Sequence, residues 1–301
     1  MLRIWVAALR PWSFTASAVP VVLGTAMAWA EGMFDPWLFV LALIGGIAMQ
    51  GGTNLINTYG DYKSGVDTVE SAVTCPQLVK GTLRPESMKR AGILVFGLAA
   101  AIGLFLAYRC GWEVLAAGIV GLAGGYCYTA GRYPYKYRGL GSIVVFFLMG
   151  PLMVWPAYFI QTGGYSWLPL LVSLPIGFLV MGILHANDIR DIDWDQRAGI
   201  STLVTILGLR HSILLYHGLY AAAYLCLAIV AWQGLVPWTA TLPLLLVPMI
   251  ARIHRSLSAE GDHDRQNLVM LEAQSAKVHF QFGLLMILGF IISPWISGRL
   301  S

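Results

Sequence analysis

Two short clusters of Asn and Asp side chains carry the chemistry that this sequence suggests. Each cluster is an Asn followed by two Asp residues at intervals of four to six positions, and each ends a long apolar segment. The six residues are Asn57, Asp61, Asp67, Asn187, Asp191 and Asp195. Acidic residues are costly beside hydrocarbon and usually have a function there, and Mg²⁺ binds a few carboxylates together with phosphate oxygens. The clusters therefore predict a site that holds a diphosphate ester through Mg²⁺.

Spacing predicts how each cluster is presented. In the second cluster the residues are four apart, so they stack along one face of a helix, whereas Asp188 is expected to point away, towards solvent or an arginine. In the first cluster Asn57 and Asp61 share a face, but Asp67 falls off it. Gly65 permits a turn, so the helix is predicted to end near residue 62 and the turn to bring Asp67 back.

Composition indicates the class of protein that positions these clusters. Hydrophobic residues make up 57% of the 301 residues and charged residues 11%, whereas a soluble domain has about 25% charged residues. We predict an all-α, polytopic membrane protein with nine transmembrane helices of roughly 20 residues each. No linker divides the chain, so residues 1–301 are expected to form a single domain. The predicted spans are 12–31, 36–58, 90–109, 112–130, 139–160, 167–187, 212–233, 235–252 and 279–297.

The basic residues predict the orientation in the membrane. With nine spans, only Arg109 and Arg299 of the 19 lysines and arginines lie on the side opposite the clusters, which is the asymmetry that the positive-inside rule expects. The N-terminus and the cluster loops are therefore predicted to be cytoplasmic, in the cell inner membrane, with a polar loop at 254–277 on the same side. The net charge of +4 suits lipid headgroups and substrate phosphate, and no nucleic-acid partner is expected.

Five ordered segments between residues 10 and 210 carry a family resemblance. They are RPWSFTASAVPVVLGTAMA (10–28), NLINTYGDYKSGVD (54–67), YTAGRYPYKYRGLGS (128–142), GP (150–151) and LHANDIRDIDWDQRAGISTLV (184–204). Together they resemble the UbiA superfamily of intramembrane aromatic prenyltransferases, most of all its 1,4-dihydroxy-2-naphthoate and animal vitamin-K branches. The sequence departs from the family pattern at Gly60, where an aromatic residue is usual, and at Ser142, Asp188 and Ile200.

The resemblance implies nine helices around a central cavity, capped by the cytoplasmic loops, with Mg²⁺ as the cofactor. The six cluster residues would hold Mg²⁺ and the diphosphate, and their four Asp side chains would be catalytic. Basic side chains in the capping loops would clamp phosphate oxygens, although each is equally explained as a topology residue. The candidates are Lys63, Lys80, Lys136, Arg138 and Arg190.

Charge placement suggests how such a site reacts. Mg²⁺ and cations stabilise the departing diphosphate, and aromatic faces shelter the resulting allyl cation. Tyr126, Tyr128 and Tyr158 are candidates for that role. His185 either orients the acceptor or is a hydrogen-bonded structural histidine, and the sequence leaves both readings open.

The expected activity is transfer of a polyprenyl group from its diphosphate to 1,4-dihydroxy-2-naphthoate, with decarboxylation, in menaquinone biosynthesis. Other acceptors, namely 4-hydroxybenzoate, homogentisate, haem or an isoprenoid glycerol ether, remain alternatives. A transporter is a more distant one, because it would favour charges and broken helices near the bilayer midplane. Prenyl length is not predicted, since it depends on a cavity wall spread over many helices.

Overall fold

The structure is a computed structural model that describes residues 1–70, 72, 75–258, 265–296 and 298. Within that part of the chain the secondary structure is helical, with one isolated β-bridge between Arg138 and Ser201 and no strand. Two 3-10 helices cover Pro11–Phe14 and Trp238–Leu246. The α-helices are α1 (Leu2–Leu9), α2 (Thr15–Ala30), α3 (Pro36–Lys63), α4 (Pro85–Cys110), α5 (Trp112–Cys127), α6 (Gly141–Met149), α7 (Pro151–Thr162), α8 (Leu168–Arg197), α9 (Leu203–Trp232), α10 (Val247–Ser258) and α11 (Arg265–Ile296).

Seven helical segments of the described chain are long and apolar enough to cross a membrane by length and composition. The predicted all-α, polytopic membrane fold is therefore confirmed. Two of the nine predicted spans fall short of that criterion. Helix α5 has only 16 residues, and the span predicted at 235–252 is a 3-10 helix that continues as α10. The seven segments are Leu2–Ala30, Pro36–Lys63, Pro85–Cys110, Gly141–Thr162, Leu168–Arg197, Leu203–Trp232 and Leu268–Ile296.

The helices pack around hydrophobic clusters that hold the two motif helices in the same bundle. The largest cluster joins α2, α8, α9 and α11 through buried residues such as Leu23, Ile176, Tyr216 and Phe282. A separate cluster joins α3 with α4, α5 and α7. Helices α2 and α7 contribute buried residues to both clusters, and each contacts both α3 and α8. Apolar packing therefore fixes α3 and α8 relative to each other.

The segment after α3 folds back over one end of the bundle. Cys75, Leu78 and Leu83 are buried and pack with Ala8 of α1 and Leu55 of α3. The α5–α6 loop and the α8–α9 loop meet at the same end through the bridge between residues 138 and 201. These contacts cap the bundle at the end where α3 and α8 finish.

The polar segment at 254–277 differs from its predicted loop. Helix α10 extends to Ser258, and α11 begins at Arg265. Residues 259–264 of this predicted loop lie outside the described residues, as does Arg299. The prediction failed because polar residues on a helix that faces other polar groups resemble a loop in composition. The correction matters, because this part of α11 contributes to the site.

Candidate active site

Asp61 is the most constrained carboxylate of the first cluster. It lies in the last turn of α3, and its side chain is only 6% exposed. Lys136 Nζ donates to both of its oxygens, at 2.8 and 2.7 Å, and the Tyr137 hydroxyl donates to Oδ1 at 2.7 Å. Asn57, one turn earlier, donates from Nδ2 to Oδ2 at 2.9 Å. The buried charge is thus balanced by one cation and two neutral donors, as burial of a carboxylate requires.

Lys136 reaches Asp61 from the loop between α5 and α6. Burial by itself would lower the pKa of this lysine, but the charge of Asp61 and its hydrogen bonds outweigh burial and raise the pKa above its ordinary value. Lys136 therefore remains a cation at the cavity wall. Its ammonium group also lies 5.8 Å from the centroid of the Tyr128 ring, which is within the range of a cation–π contact.

Arg10 extends this network on the other side of Asn57. Its guanidinium donates to Asn57 Oδ1 at 3.4 Å and to the Thr58 hydroxyl at 3.1 Å. The residue has left-handed backbone angles, φ 54° and ψ 61°, which are uncommon outside glycine and are often found at functional sites. Arg10 Nε is buried without a hydrogen-bond partner in the described structure. A cationic donor is therefore available at this wall of the cavity.

Asp67 returns to the cluster through the predicted turn. Helix α3 ends at Lys63, Gly65 has φ +76°, and the backbone N–H groups of Val66 and Asp67 both donate to the Asp61 carbonyl. The prediction of a helix end near residue 62 is confirmed. Burial raises the pKa of Asp67 to about 6, and repulsion from the Asp61 carboxylate adds to the increase.

The second cluster lies at the end of α8 and is held by different partners. Arg190 donates to both oxygens of the neighbouring Asp191, at 2.8 and 2.6 Å. The same guanidinium also pairs with Glu272 of α11, and Asn187 Nδ2 donates to Glu272 Oε2 at 3.2 Å. Helix α11 is therefore tied to the second cluster by a carboxylate that the sequence analysis did not single out.

A single cavity of about 350 Å³ collects both clusters. All six predicted cluster residues line it, together with Lys136 and Tyr128. The remaining wall is mostly apolar and follows α3, α4, α5 and α7 away from the carboxylates. The polar side chains that line the cavity besides those predicted are Arg10, Ser13, Ser17, Gln50, Thr53, Asn54, Tyr135, Asp188, Trp194 and Glu272.

Five predicted substrate contacts do not line this cavity. Lys63, Lys80 and Arg138 are exposed, and the Arg138 guanidinium lies 4.8 Å from the Tyr133 ring centroid. Arg190 is also absent from the lining, but it acts on the cavity through Asp191. His185 is fully buried, and its Nε2 lies 2.9 Å from the Ser212 carbonyl. Of the two readings for His185, this position matches the structural one.

Two of the three candidate aromatic residues also lie elsewhere. Tyr126 is 39% exposed. Tyr158 donates to Glu31 at 2.7 Å, and Glu31 follows the end of α2 that is remote from the clusters. Only Tyr128 faces the cavity, where it stacks edge to face with Tyr135 at a centroid distance of 5.4 Å. The sequence does not show which ring faces a cavity formed by several helices, so it could not separate Tyr128 from the other two candidates.

Asp188 corrects a further expectation. It was predicted to point away from the stripe, towards solvent or an arginine, yet it is only 6% exposed and lines the cavity. The helix face that meets the cavity is wide enough to include a neighbour of Asn187. Arg10, Tyr137 and Glu272 were not predicted at all, although Arg10 lies within the quoted 10–28 motif and offered a signal.

The unusual Gly60 has a packing explanation. A Cβ atom at this position would lie 2.7 Å from the Thr129 carbonyl oxygen and 2.9 Å from the Thr129 Cβ. An aromatic side chain cannot be accommodated at such a backbone approach. The last turn of α3 can therefore lie directly against the segment that leads to Lys136.

The donor set fits Mg²⁺ that is shared with a phosphate-bearing ligand. Among the described residues, no three His, Cys, Asp or Glu side chains converge closely enough to hold a metal ion by themselves. Mg²⁺ usually binds through one or two carboxylates, with water and substrate phosphate completing its shell. Carboxylate and amide oxygens on two facing helices meet that requirement, whereas a soft or all-protein metal site is not supported.

Fold and site together define a membrane-embedded helical protein with an acid-lined cavity at one end. The chain belongs to the UbiA prenyltransferase family, whose sequence profile matches residues 17–273. It is 36% identical to "UbiA prenyltransferase domain-containing protein 1" of Gallus gallus, over 96% of this chain and 85% of that protein. It is 32% identical to the "1,4-dihydroxy-2-naphthoate octaprenyltransferase" of Bacillus subtilis, over 94% of this chain and 91% of that protein. The chain is therefore a prenyltransferase.

A solved structure shares the fold. The UbiA homolog from Archaeoglobus fulgidus bound to GPP and Mg²⁺ superposes with a TM-score of 0.66 and 17% sequence identity, covering 94% of this chain and 99% of that one. At this identity the likeness concerns the fold. It confirms that the helical arrangement around the cavity is that of a UbiA protein.

Proposed function

We propose that residues 1–301 act as one domain that transfers a polyprenyl group from an allylic diphosphate to 1,4-dihydroxy-2-naphthoate, with decarboxylation, in menaquinone biosynthesis. The observation that carries this proposal is the cavity itself. It joins two Asn/Asp clusters at one end to a long apolar wall, which suits a ligand with an anionic head and a hydrocarbon chain. The naphthoate octaprenyltransferase of Bacillus subtilis, 32% identical, supports the acceptor.

The diphosphate and Mg²⁺ belong at the carboxylate end of the cavity in this proposal. Oxygen atoms of Asn57, Asp61, Asp67, Asn187, Asp191 and Asp195 would hold the metal. When bound, Mg²⁺ neutralises charge on the diphosphate and makes it a better leaving group. The archaeal structure with GPP and Mg²⁺ has the same fold, and this supports the assignment.

Two cations of the chain would share the phosphate charge. Lys136 and Arg190 pair with Asp61 and Asp191, so each already lies beside a proposed ligand. Cations placed where negative charge develops lower the barrier because they require little reorganisation. Their carboxylate partners hold them in position before the substrate binds, and this is the role that we assign to both ion pairs.

The reaction breaks the allylic C–O bond, and the electron pair leaves with the diphosphate. The allylic carbon then forms a C–C bond to the electron-rich ring, and the ring carboxylate departs as carbon dioxide. The prenyl group takes the place of the carboxylate, so the number of hydrogen atoms on the ring does not change. Tyr128 presents its face near the clusters and would stabilise the allylic cation, while the apolar wall excludes water from it.

The acceptor is an acid, and the cavity offers it a basic wall. Arg10 lines the cavity and has a buried Nε without a partner in the described structure. Arginine binds carboxylates through paired N–H groups. Gln50 also lines the cavity and has a buried Oε1 without a partner in the described structure. This oxygen would accept a hydrogen bond from a hydroxyl group of the ring. Arg10 donates to Asn57, and Gln50 precedes Asn57 by about two turns of α3.

The proposed location is the cell inner membrane, with the carboxylate end of the cavity on the cytoplasmic side. The positive-inside rule supports this orientation. A water-soluble acceptor would then enter from the cytoplasm through the capped end, and the prenyl donor would reach the apolar wall from the bilayer lipid.

The test uses the purified full chain in detergent with Mg²⁺, a long-chain allylic diphosphate and 1,4-dihydroxy-2-naphthoate. Mass spectrometry should detect a prenylated, decarboxylated 1,4-dihydroxynaphthalene, either as this quinol or as the naphthoquinone that oxygen in the air forms from it. EDTA should abolish its formation, and excess Mg²⁺ should restore it. Prenylation of 4-hydroxybenzoate or homogentisate in place of the naphthoate would overturn the acceptor but keep the transfer. Absence of product with every acceptor would overturn the reaction as proposed.

A further inference from the structure

The apolar part of the cavity follows most of the length of α3. Lining residues on this helix recur at intervals of three or four from Ala42 to Asp61, so they form one continuous face. That stretch measures roughly 28 Å at a rise of about 1.5 Å per residue, close to the hydrocarbon thickness of a bilayer, about 30 Å. A donor whose diphosphate lies at Asp61 would therefore extend its chain along α3, towards Ala42.

Helices α4 and α5 form the facing wall of this apolar channel. The lining residues on α4 lie between Ala99 and Leu106, and those on α5 lie between Val114 and Gly125, again at intervals of three or four. Leu106 and Val114 are 4% and 6% exposed and lie near the junction of the two helices, remote from the carboxylates. They line the channel at that end.

Two glycines in this wall leave space that no side chain fills. A Cβ atom at Gly103 or at Gly118 would have no heavy atom within 4 Å, although both residues line the cavity. The lining glycines of α3 differ, because a Cβ at Gly45 would meet Ile102 at 3.2 Å and one at Gly46 would meet Met153 at 3.3 Å. The α3 glycines therefore allow helix packing, as do Gly121 and Gly125 of α5, where a Cβ atom would meet Met49 at 2.9 Å and Thr53 at 2.5 Å. Gly103 and Gly118 instead widen the channel.

Gly103 and Gly118 lie at the same depth. Gly103 precedes the end of α4 at Cys110, and Gly118 follows the start of α5 at Trp112. Each is roughly 10 Å from the junction of the two helices. A bulky side chain at either position would divide the channel and leave only the part near the carboxylates open.

We propose that Gly103 and Gly118 set the longest prenyl chain that the enzyme accepts, an inference that rests on the proposed prenyl transfer. Because glycine has no side chain, a long donor can pass both positions and reach the far end of the channel at Leu106 and Val114. The diphosphate site is remote from both glycines, so chain length and diphosphate binding are determined by separate parts of the cavity.

The test compares Gly103→Leu and Gly118→Leu with the unchanged protein over a series of allylic diphosphates, from geranyl diphosphate to the longest that is turned over. The measured quantity is kcat/KM for each donor at saturating Mg²⁺ and naphthoate. The ratio of long-donor to short-donor kcat/KM should fall by at least about tenfold. One methylene group more or less in an apolar pocket already changes kcat/KM by about tenfold or more. Turnover of the shortest donor and the Mg²⁺ requirement should stay unchanged.

Gly97→Leu is the matched control. Gly97 lies on the same helix as Gly103, and a Cβ there also has no heavy atom within 4 Å, but it is exposed and does not line the cavity. This variant should keep the original donor profile. Leucine has a higher helix propensity than glycine, so all three substitutions should be compatible with their helices.

Leu106→Ala and Gly118→Ala complete the design if a leucine variant fails to fold. Leu106→Ala should improve the longest donors relative to the short ones, and Gly118→Ala should shift the profile in the same direction as Gly118→Leu, by less. Folded variants that keep the original profile would overturn the chain-length proposal. An unchanged protein that turns over no allylic diphosphate would instead reject the proposed function.

Discussion

The clusters on α3 and α8 have similar sequence patterns but different surroundings. Asp61 on α3 is 6% exposed at its side chain and is bonded by Lys136 and Tyr137, which come from the loop between α5 and α6. Asp191 on α8 is 27% exposed and is bonded by Arg190, the residue immediately before it. One charge is thus neutralised across the fold, and the other within its own helix turn.

This difference separates the structural role of each carboxylate from its chemical role. Asp61 connects α3 to a loop 75 residues away, so it contributes to the tertiary structure as well as to the cavity. Asp191 gains its cation locally, and the long-range link of the second cluster runs instead from Arg190 to Glu272 of α11. Equal sequence motifs therefore need not have equal effects on folding when they are mutated.

The largest expected effects come from Asp61→Ala and Asp191→Ala. Both should abolish detectable turnover, because each removes a proposed Mg²⁺ ligand. Only Asp61→Ala should also lower stability, by about 3 kcal/mol, since it leaves the buried Lys136 ammonium without its partner. Product formation by mass spectrometry and the midpoint of thermal unfolding in detergent measure the two effects separately.

Asp193→Ala provides the control, because Asp193 is exposed on the same helix as Asp191 and does not line the cavity. It should keep turnover. Full Mg²⁺-dependent activity in either cluster variant would contradict the ligand assignment. Equal loss of stability in both would contradict the distinction between the clusters.

Lys136→Met should have the next largest effect, a fall in kcat of about 100-fold, because it removes a cation from the position where diphosphate charge develops. The methionine keeps much of the side-chain volume. Lys80→Met serves as a comparison, since Lys80 is exposed and does not line the cavity. Similar kcat values for Lys136→Met and Lys80→Met would contradict the proposed role of Lys136 at the diphosphate.

Glu272→Gln tests the link that is particular to the α8 cluster. It removes the charge that pairs with Arg190 and leaves Asn187 only a neutral acceptor, so the second cluster is held less firmly. The Mg²⁺ concentration that gives half-maximal activity should rise about tenfold, as is typical when a partner of a metal ligand is changed. An unchanged Mg²⁺ dependence would mean that Glu272 only packs the helices.

Tyr137→Phe should have the smallest effect. It removes the hydrogen bond to Asp61 Oδ1 and the one that the hydroxyl accepts from Ser64. The lysine pair stays intact, so the loss of stability should be only about 1 to 2 kcal/mol. Thermal unfolding can resolve such a change when it is compared with Tyr133→Phe, whose side chain is 59% exposed. A loss as large as that of Asp61→Ala would mean that the hydroxyl, rather than Lys136, holds the carboxylate.

Sequence reasoning placed residues at the cavity where local features decided their position, and all six cluster residues line it. Hydropathy identified the class of fold, and the spacing of each cluster identified the cavity-facing stripes of α3 and α8. The glycine at 65 was enough to predict the turn that returns Asp67, because a positive φ is a property of a few residues. Among the basic and aromatic candidates, Lys136 and Tyr128 line the cavity, but the sequence did not distinguish them from the others. Lys63, Lys80 and Arg138 have the same charge as Lys136 and lie between helices or at a helix end, and nothing local distinguishes them.

The sequence by itself determined that this protein is an all-helical membrane protein with two carboxylate clusters suited to Mg²⁺ and a diphosphate. The length of apolar segments, the charge of loops and the spacing of nearby residues are local properties, so they can be read directly from the sequence. Only the tertiary structure decided that Lys136 reaches Asp61, that Glu272 of α11 joins the second cluster, and that Gly103 and Gly118 face one channel. Those contacts depend on how far each helix is rotated and how closely the helices approach, which packing among distant segments determines.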